Sequence, residues 1–219
     1  MRAPAAAPVV SPWLPMEDRA RGRADKREAV LRAAARLFNE KGFHATSLDE
    51  VAERLHVSKP TLYRYAKSKD EILFGCVQAG LDLVRARILE AAGSGKGTAL
   101  DKLRACMQAY ADVVTQDFGM CVIRVGEDPL PQEGRRALRA LKAQIDLEFR
   151  RLIEQGVAEG SIAPVDAKLA AFTLAGAISW IGRWYRADGE LSPAQIAEQC
   201  IAVLLNGIVK RPPAGEDSP

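Results

Sequence analysis

Residues 48–67 read LDEVAERLHVSKPTLYRYAK and contain two short helical patterns separated by a tight turn. The first pattern has its apolar residues on one helical face, and Ser58 with Pro60 is typical of the start of a second helix. Ala52 is small enough for two helices to cross closely, and Leu62 follows ten residues later, where it can pack onto Ala52. This spacing predicts a helix-turn-helix unit.

The turn and the second helix of this unit carry unusual residue types. His56 lies where such turns commonly have Gly, and we predict that the turn is kept because His tolerates positive φ better than most residues. Around Leu62, the second helix offers a cation, hydroxyl groups and short side chains near its N-terminus, which suit entry into a DNA major groove. The alternative is a helical hairpin with a solvated basic face.

Helical patterns continue on both sides of this unit, and no useful β-alternation appears. We predict an all-α protein of about nine helices, with a flexible arm over 1–20, a helix-turn-helix head over 21–70, an effector and dimerisation domain over 71–210, and a disordered tail over 211–219. Capping boxes are expected at Thr46–Asp49 or Ser47–Glu50, and at Ser68–Glu71. Further helices are expected from Thr98 to about 118, 132 to 159, Pro164 to about 188, and Ser192 to about 210, with irregular chain over 119–131.

Composition excludes several classes of protein. The chain has 219 residues, of which 48% are hydrophobic and 27% are charged, which is ordinary for a globular protein and rules out disorder of the whole chain. The longest uncharged stretch, 169–182, is too short for a membrane span. The four cysteines are widely scattered and have no histidine at ligand spacing, so we expect reduced thiols in the cytoplasm, with no metal site and no cofactor.

Positive charge is concentrated at the N-terminal end. Residues 1–70 have 14 Lys and Arg against 9 Asp and Glu, whereas the rest of the chain has 17 against 19. This asymmetry suits a phosphate-binding head on a nearly neutral body.

Residues 27–73 resemble the N-terminal domain of the TetR family of transcriptional regulators. The resemblance is carried by AARLF and GF within 34–43, TSLDEVA at 46–52, and VSKPTLYRY with KSKDEIL through 57–73. Ala66 departs from the family pattern, which usually has an aromatic residue there, and we expect looser local packing as a result. The resemblance implies double-stranded operator DNA as the partner. It also implies phosphate contacts from Thr46, Tyr63, Tyr65 and Lys69 and positions near base edges for Lys59 and Thr61, and Ser47 and Ser58 complete the predicted DNA-binding set.

Members of this family dimerise through their last two helices, so the resemblance also implies a homodimer. Small and aliphatic residues suggest that the seam lies on the helices near 166–187 and 193–210. The predicted dimer residues are Leu174, Ala175, Ile178, Cys200, Val203, Leu204 and Gly207. The alternative is that these residues of both helices pack only within one chain.

The stretch WIGRWYRADGELSPAQIAE at 180–198 is similar to repressors of lipid and steroid breakdown whose effectors are acyl-CoA thioesters. That short likeness suggests a small-molecule effector, with Arg183 and Arg186 toward an anionic group. The predicted pocket residues are Met107, Tyr110, Met120, Cys121, Arg124, Phe149, Trp180, Arg183 and Trp184. The alternative is an aromatic core cluster with surface arginines.

These observations favour a ligand-responsive DNA-binding repressor that is released from an inverted-repeat operator by its effector. A helical enzyme is the rival from another class, but the sequence lacks a cluster of bases, nucleophiles or metal ligands, so we predict no catalytic residues. An architectural DNA-binding protein without an effector is the third alternative, and the length of the C-terminal region argues against it.

Overall fold

The computed structural model describes residues 21–93, 95 and 97–208. Within these residues it contains nine α-helices and no strand, as predicted. The helices are α1 (Arg21–Lys41), α2 (Leu48–Arg54), α3 (Lys59–Leu62), α4 (Lys69–Ala92), α5 (Ala99–Val114), α6 (Asp117–Val125), α7 (Gln132–Glu159), α8 (Ala167–Trp184) and α9 (Pro193–Asn206). The predicted arm over 1–20 and tail over 211–219 lie outside the described residues.

The first compact unit comprises described residues 21–84 and 116–142. In it, α1 packs against α2 and α6, and α2 packs against α3. Its core includes the fully buried side chains of Phe38, Leu62 and Ile72. The unit therefore holds the predicted head together with part of α4, all of α6 and the start of α7.

The second compact unit comprises described residues 85–115 and 143–208. Here α5 packs against both α8 and α9, which also contact each other. Met107 of α5 and Phe149 of α7 are fully buried, as is Ile178 of α8. The core of this unit is thus built from the inner faces of helices that carry most of the residues predicted for effector binding.

The expectation of irregular chain over 119–131 was wrong at its start, because α6 occupies Asp117–Val125. Helix α5 ends at Val114, earlier than predicted, and the Thr115 hydroxyl donates to the carbonyl oxygens of Ala111 and Asp112 in its last turn. Asp117 then accepts from Arg36 through its carboxylate and from Asn39 through its carbonyl oxygen. These bonds to α1 are contacts distant in sequence, so local periodicity gave no sign of them.

The last two helices begin or end differently from the prediction. Helix α8 begins at Ala167 rather than at Pro164, because the Asp166 side chain caps it by accepting from the Leu169 N–H. Helix α9 ends at Asn206 rather than near residue 210, and Gly207 follows with a positive φ of 75°. The predicted start at Ser192 is confirmed, with Ser192 and Gln195 forming a capping box. None of the helices in the described ranges has the length and apolar character needed to cross a membrane.

Candidate DNA-binding surface, effector residues and dimer face

Helix α2 starts at a reciprocal cap, which settles one of the two alternatives left open by the sequence. The Ser47 hydroxyl accepts from the Glu50 N–H, and the Glu50 carboxylate accepts from the Ser47 N–H at 2.8 Å. A hydrogen bond from Lys41, with that from the Ser47 backbone, lowers the pKa of Glu50 to about 2. Ser47 is exposed at the start of α2, and its hydroxyl already accepts a hydrogen bond in the cap.

The turn between α2 and α3 has the conformation that the sequence predicted. His56 has φ of 55° and is the one non-glycine residue with positive φ in the described part of the chain. Its N–H donates to the Glu53 carbonyl oxygen, and the Val57 N–H donates to that of Ala52, both at 3.0 Å. The left-handed residue thus closes α2 and turns the chain toward α3.

Helix α3 is held by a cap at one end and a core residue at the other. The Ser58 side chain accepts from the Thr61 N–H, and the two hydroxyl oxygens lie 2.8 Å apart. Leu62 is fully buried and Ala52 is 4% exposed, as the helix-turn-helix spacing required. The short helix consequently has a fixed buried side and a separate exposed side.

The exposed side presents Lys59 and Tyr63, with Thr61 half-buried beside them. Lys59 Nζ lies 2.8 Å from the Asp49 carboxylate, and its hydrogen bond to Asp49 raises the pKa of Lys59. Ion pairs that are open to solvent contribute little free energy, so this pair can be exchanged for a contact with DNA. The arrangement leaves a cation and two hydroxyl groups on one exposed helix.

Two residues of the predicted DNA-binding set have internal partners instead of open surfaces. Thr46 is 2% exposed and its hydroxyl donates to the Gly42 carbonyl oxygen. Lys69 Nζ donates to the carbonyl oxygens of Phe43, His44 and Thr46 at 2.9, 3.3 and 2.9 Å, which uses all three of its donors. We therefore no longer expect these two side chains to contact phosphates. Their hydrogen bonds instead hold the connection between α1 and α2. Tyr65 is half-buried and keeps its predicted role as a proposal.

Family models match both parts of the chain. Residues 30–76 match the model described as bacterial regulatory proteins of the tetR family, and residues 96–208 match that of the tetracyclin repressor-like C-terminal domain. The chain belongs to the TetR family. It is a DNA-binding transcriptional regulator.

Curated relatives and solved structures agree with this assignment. The repressor KstR2 of Mycolicibacterium smegmatis is 28% identical over 199 residues, which cover 85% of this chain and 92% of the relative. KstR2 of Rhodococcus jostii is 26% identical and covers 89% of this chain and 96% of its own length. A crystal structure of AibR in complex with isovaleryl coenzyme A and operator DNA is 28% identical, with a TM-score of 0.70 over 82% of this chain and 97% of that one. PfmR from Thermus thermophilus is 30% identical, with a TM-score of 0.74 over 83% and 99%.

The residues predicted for the effector pocket divide between the two compact units. Met120, Cys121 and Arg124 belong to α6 in the first unit, where Cys121 is buried and Arg124 donates to the Asn39 carbonyl oxygen. The other six belong to the second unit: Met107, Tyr110, Phe149, Trp180, Arg183 and Trp184.

Within the second unit, the predicted pocket residues have two kinds of environment. Met107, Tyr110 and Phe149 are buried, and burial raises the pKa of Tyr110 to about 12 despite its hydrogen bond with Ser179. By contrast, Trp180 is 62% exposed and Trp184 46% exposed. The two indoles therefore lie on the outer side of α8 and not among the core side chains.

The predicted dimer residues also divide by helix face. Leu174 and Ile178 are buried in the core of their own unit, so the alternative of packing within one chain holds for them. Ala175, Cys200 and Leu204 are half-buried, whereas Val203 and Gly207 are exposed. The exposed apolar face of α8 and α9 also includes residues that the sequence analysis did not assign to it: Leu169, Phe172, Trp180 and Trp184. Their spacings of three, eight and four residues keep them on one side of α8, and this helical spacing was the signal that identifies the face.

No group of three or more potential metal-ligating side chains occurs among the described residues.

Proposed function

We propose that this regulator is a repressor that binds an inverted-repeat operator as a homodimer and leaves it when an acyl-CoA or related lipid-like metabolite binds. The observation that carries the DNA-binding part is the capped, exposed α3, with its buried side fixed by Leu62. Two copies related by a two-fold axis would present two such helices to two half-sites.

The proposed dimer face is the exposed apolar surface of α8 and α9. Phe172, Trp180 and Trp184 of α8 are each about half exposed or more, as is Val203 of α9. Large apolar side chains that are grouped on exposed helix faces in this way mark an interaction site. Gly176 lies between the aromatic residues and has open space where its Cβ would be, so a partner helix can approach closely there.

A negative charge introduced into this face tests the dimer. Trp180→Glu places like charges at a dry interface, where an unpaired charge costs several kcal/mol. We expect monomers in sedimentation and a large loss of operator affinity, whereas Gln144→Glu, at an exposed position of α7, leaves both unchanged. A Trp180→Glu protein that remains a dimer and binds normally would contradict this assignment.

The effector proposal rests on the likeness to AibR, whose structure holds isovaleryl coenzyme A. Arg183 is exposed near the C-terminal end of α8, and a guanidinium suits the phosphate groups of a CoA moiety. An effector that favours the released state by about 100-fold supplies about 2.7 kcal/mol of coupling, which is within the usual range for allosteric ligands.

The experiment is operator release, measured by fluorescence anisotropy with isovaleryl-CoA, longer acyl-CoAs, free CoA and the free acids. We expect release by acyl-CoAs at concentrations at which the free acids do nothing, and a weaker response in Arg183→Ala. Release by none of these compounds would refute the effector proposal while leaving DNA binding intact.

We further propose that the protein acts without catalysis and in the cytoplasm, since its family consists of transcription factors.

A further inference from the structure

A small basic cleft lies within the first compact unit, beside α3, the recognition helix that we propose enters the major groove. It has a volume of about 270 Å³ and is lined by Arg23 and Arg27 of α1, by Tyr63, Arg64 and Lys67 after α3, and by Glu71 of α4. This volume is below the range of about 300–1,000 Å³ typical of pockets for drug-sized ligands. The cleft therefore suits one small charged group better than a whole cofactor.

The charge of the cleft is not neutralised from within. Four cationic side chains face one carboxylate, and the Glu71 carboxylate already accepts from the Lys67 N–H at 2.7 Å. Within 21–93, 95 and 97–208, the side chains of Arg23, Arg64 and Lys67 make no hydrogen bond or ion pair. All three are exposed.

Other cations of the same unit are used differently. Lys41 pairs with Glu50, Arg54 with Glu40 and Lys59 with Asp49. Arg36 pairs with Asp117, and Lys69 binds backbone carbonyl oxygens. These five cations therefore have partners within the protein. The side chains of Arg23, Arg64 and Lys67 have none in the described part of the chain, and all three lie in the cleft.

The position of Tyr63 indicates which anion the cleft would bind. Tyr63 lines the cleft and is also the C-cap of α3, so the cleft lies directly beside the recognition helix. When a recognition helix lies in a major groove, the anionic groups beside it are the backbone phosphates of the same duplex, and such contacts fix the orientation of a protein on DNA. We propose that this cleft binds a phosphate of the operator backbone beside the half-site. Arg23 and Arg64 are its main ligands, and α1 thereby becomes part of the DNA interface. This inference rests on the proposed operator binding.

The test compares two double variants that lose the same charge. Arg23→Gln with Arg64→Gln alters the cleft, whereas Arg87→Gln with Arg104→Gln removes two exposed arginines of the second unit. Binding to a selected operator and to a scrambled duplex is measured between about 50 and 300 mM salt. The salt slope is the steepness with which the logarithm of the binding constant falls with the logarithm of the salt concentration. It decreases by about 0.9 for each phosphate that the protein no longer neutralises. We expect this decrease on both duplexes for the cleft variant, with the operator preference kept, and little change for the control variant.

A scan with methylphosphonates, which neutralise single phosphates, locates the phosphate that the cleft binds. In the wild-type complex, neutralising the phosphate beside the half-site weakens binding. In the cleft variant the same replacement has no added effect, because the side chains that bind this phosphate have been removed. Equal slopes in the two double variants, or additive effects at every phosphate, would overturn the inference. Failure of the wild-type protein to prefer any operator would instead contradict the proposed function.

Discussion

His56 shows how a single residue sets the turn on which the recognition helix depends. Its φ of 55° is rare for a residue with a Cβ, and a β-branched side chain tolerates that conformation worst. We expect His56→Val to lower the free energy of unfolding by about 1–2 kcal/mol. His56→Gly relieves the strain, so its stability is expected to equal or exceed that of the wild type. Urea unfolding followed by circular dichroism measures both, and equal stability of the Val and Gly variants would contradict this account.

Lys69 is the residue whose interpretation changed most between sequence and structure. Its ammonium group lies 4.5 Å from the centre of the Phe43 ring and binds three carbonyl oxygens of the α1–α2 connection. Family resemblance implied a phosphate contact, but periodicity and spacing contain no information about which backbone carbonyls a lysine will meet. The same limit applies to Thr46, which is buried.

We therefore expect Lys69→Met, which keeps the apolar stem, to lower the free energy of unfolding by about 1–3 kcal/mol, since hydrogen bonds to a charged group are removed. The salt slope of DNA binding should be unchanged once the protein is fully folded. The measurements are urea unfolding and binding at several salt concentrations. Normal stability combined with a reduced slope would restore the phosphate contact and contradict the structural role.

At the scale of an element, α2 depends on a charged capping residue. The pKa of Glu50 lies at about 2, well below its ordinary value of 4.5, because Lys41 and Ser47 donate to its carboxylate. A carboxylate with a lowered pKa stabilises the folded state above its unfolded pKa, and this contribution is lost as pH falls from about 4.5 toward 2. We expect Glu50→Gln to flatten the pH dependence of unfolding in that window. The same slope in wild type and variant would refute this assignment.

The packing of α4 against α6 depends on Gly80. A Cβ at this position would lie 2.7 Å from Val122 Cγ2 and 2.8 Å from the Phe118 carbonyl oxygen, and the latter cannot move without shifting α6. We expect Gly80→Ala to lower the free energy of unfolding by about 1–3 kcal/mol. Gly22→Ala is the matched control, since it lies in α1 with open space around it and is expected to raise stability by up to about 1 kcal/mol. Destabilisation by both substitutions, or by neither, would contradict a close α4–α6 contact.

For the whole molecule, the sequence predicted the class, the helical head and most helix starts, because caps and apolar periodicity are local signals. It missed α6, whose first turn is held by Arg36 and Asn39 of α1. It also placed Leu174 and Ile178 in the dimer seam, although they are buried within one chain. Periodicity shows that α8 has apolar faces, but it does not show which face a neighbouring helix of the same chain covers.

The central claim is that α3 reads an inverted repeat on behalf of a dimer. Selection from a pool of random duplexes, carried out in parallel with the wild type and with Lys59→Ala, Thr61→Ala, tests it most directly. The account predicts that the wild type enriches one inverted repeat, and that the variant retains salt-dependent binding to all duplexes but enriches no such repeat. Enrichment of the same repeat by both proteins, or of none by the wild type, would contradict it.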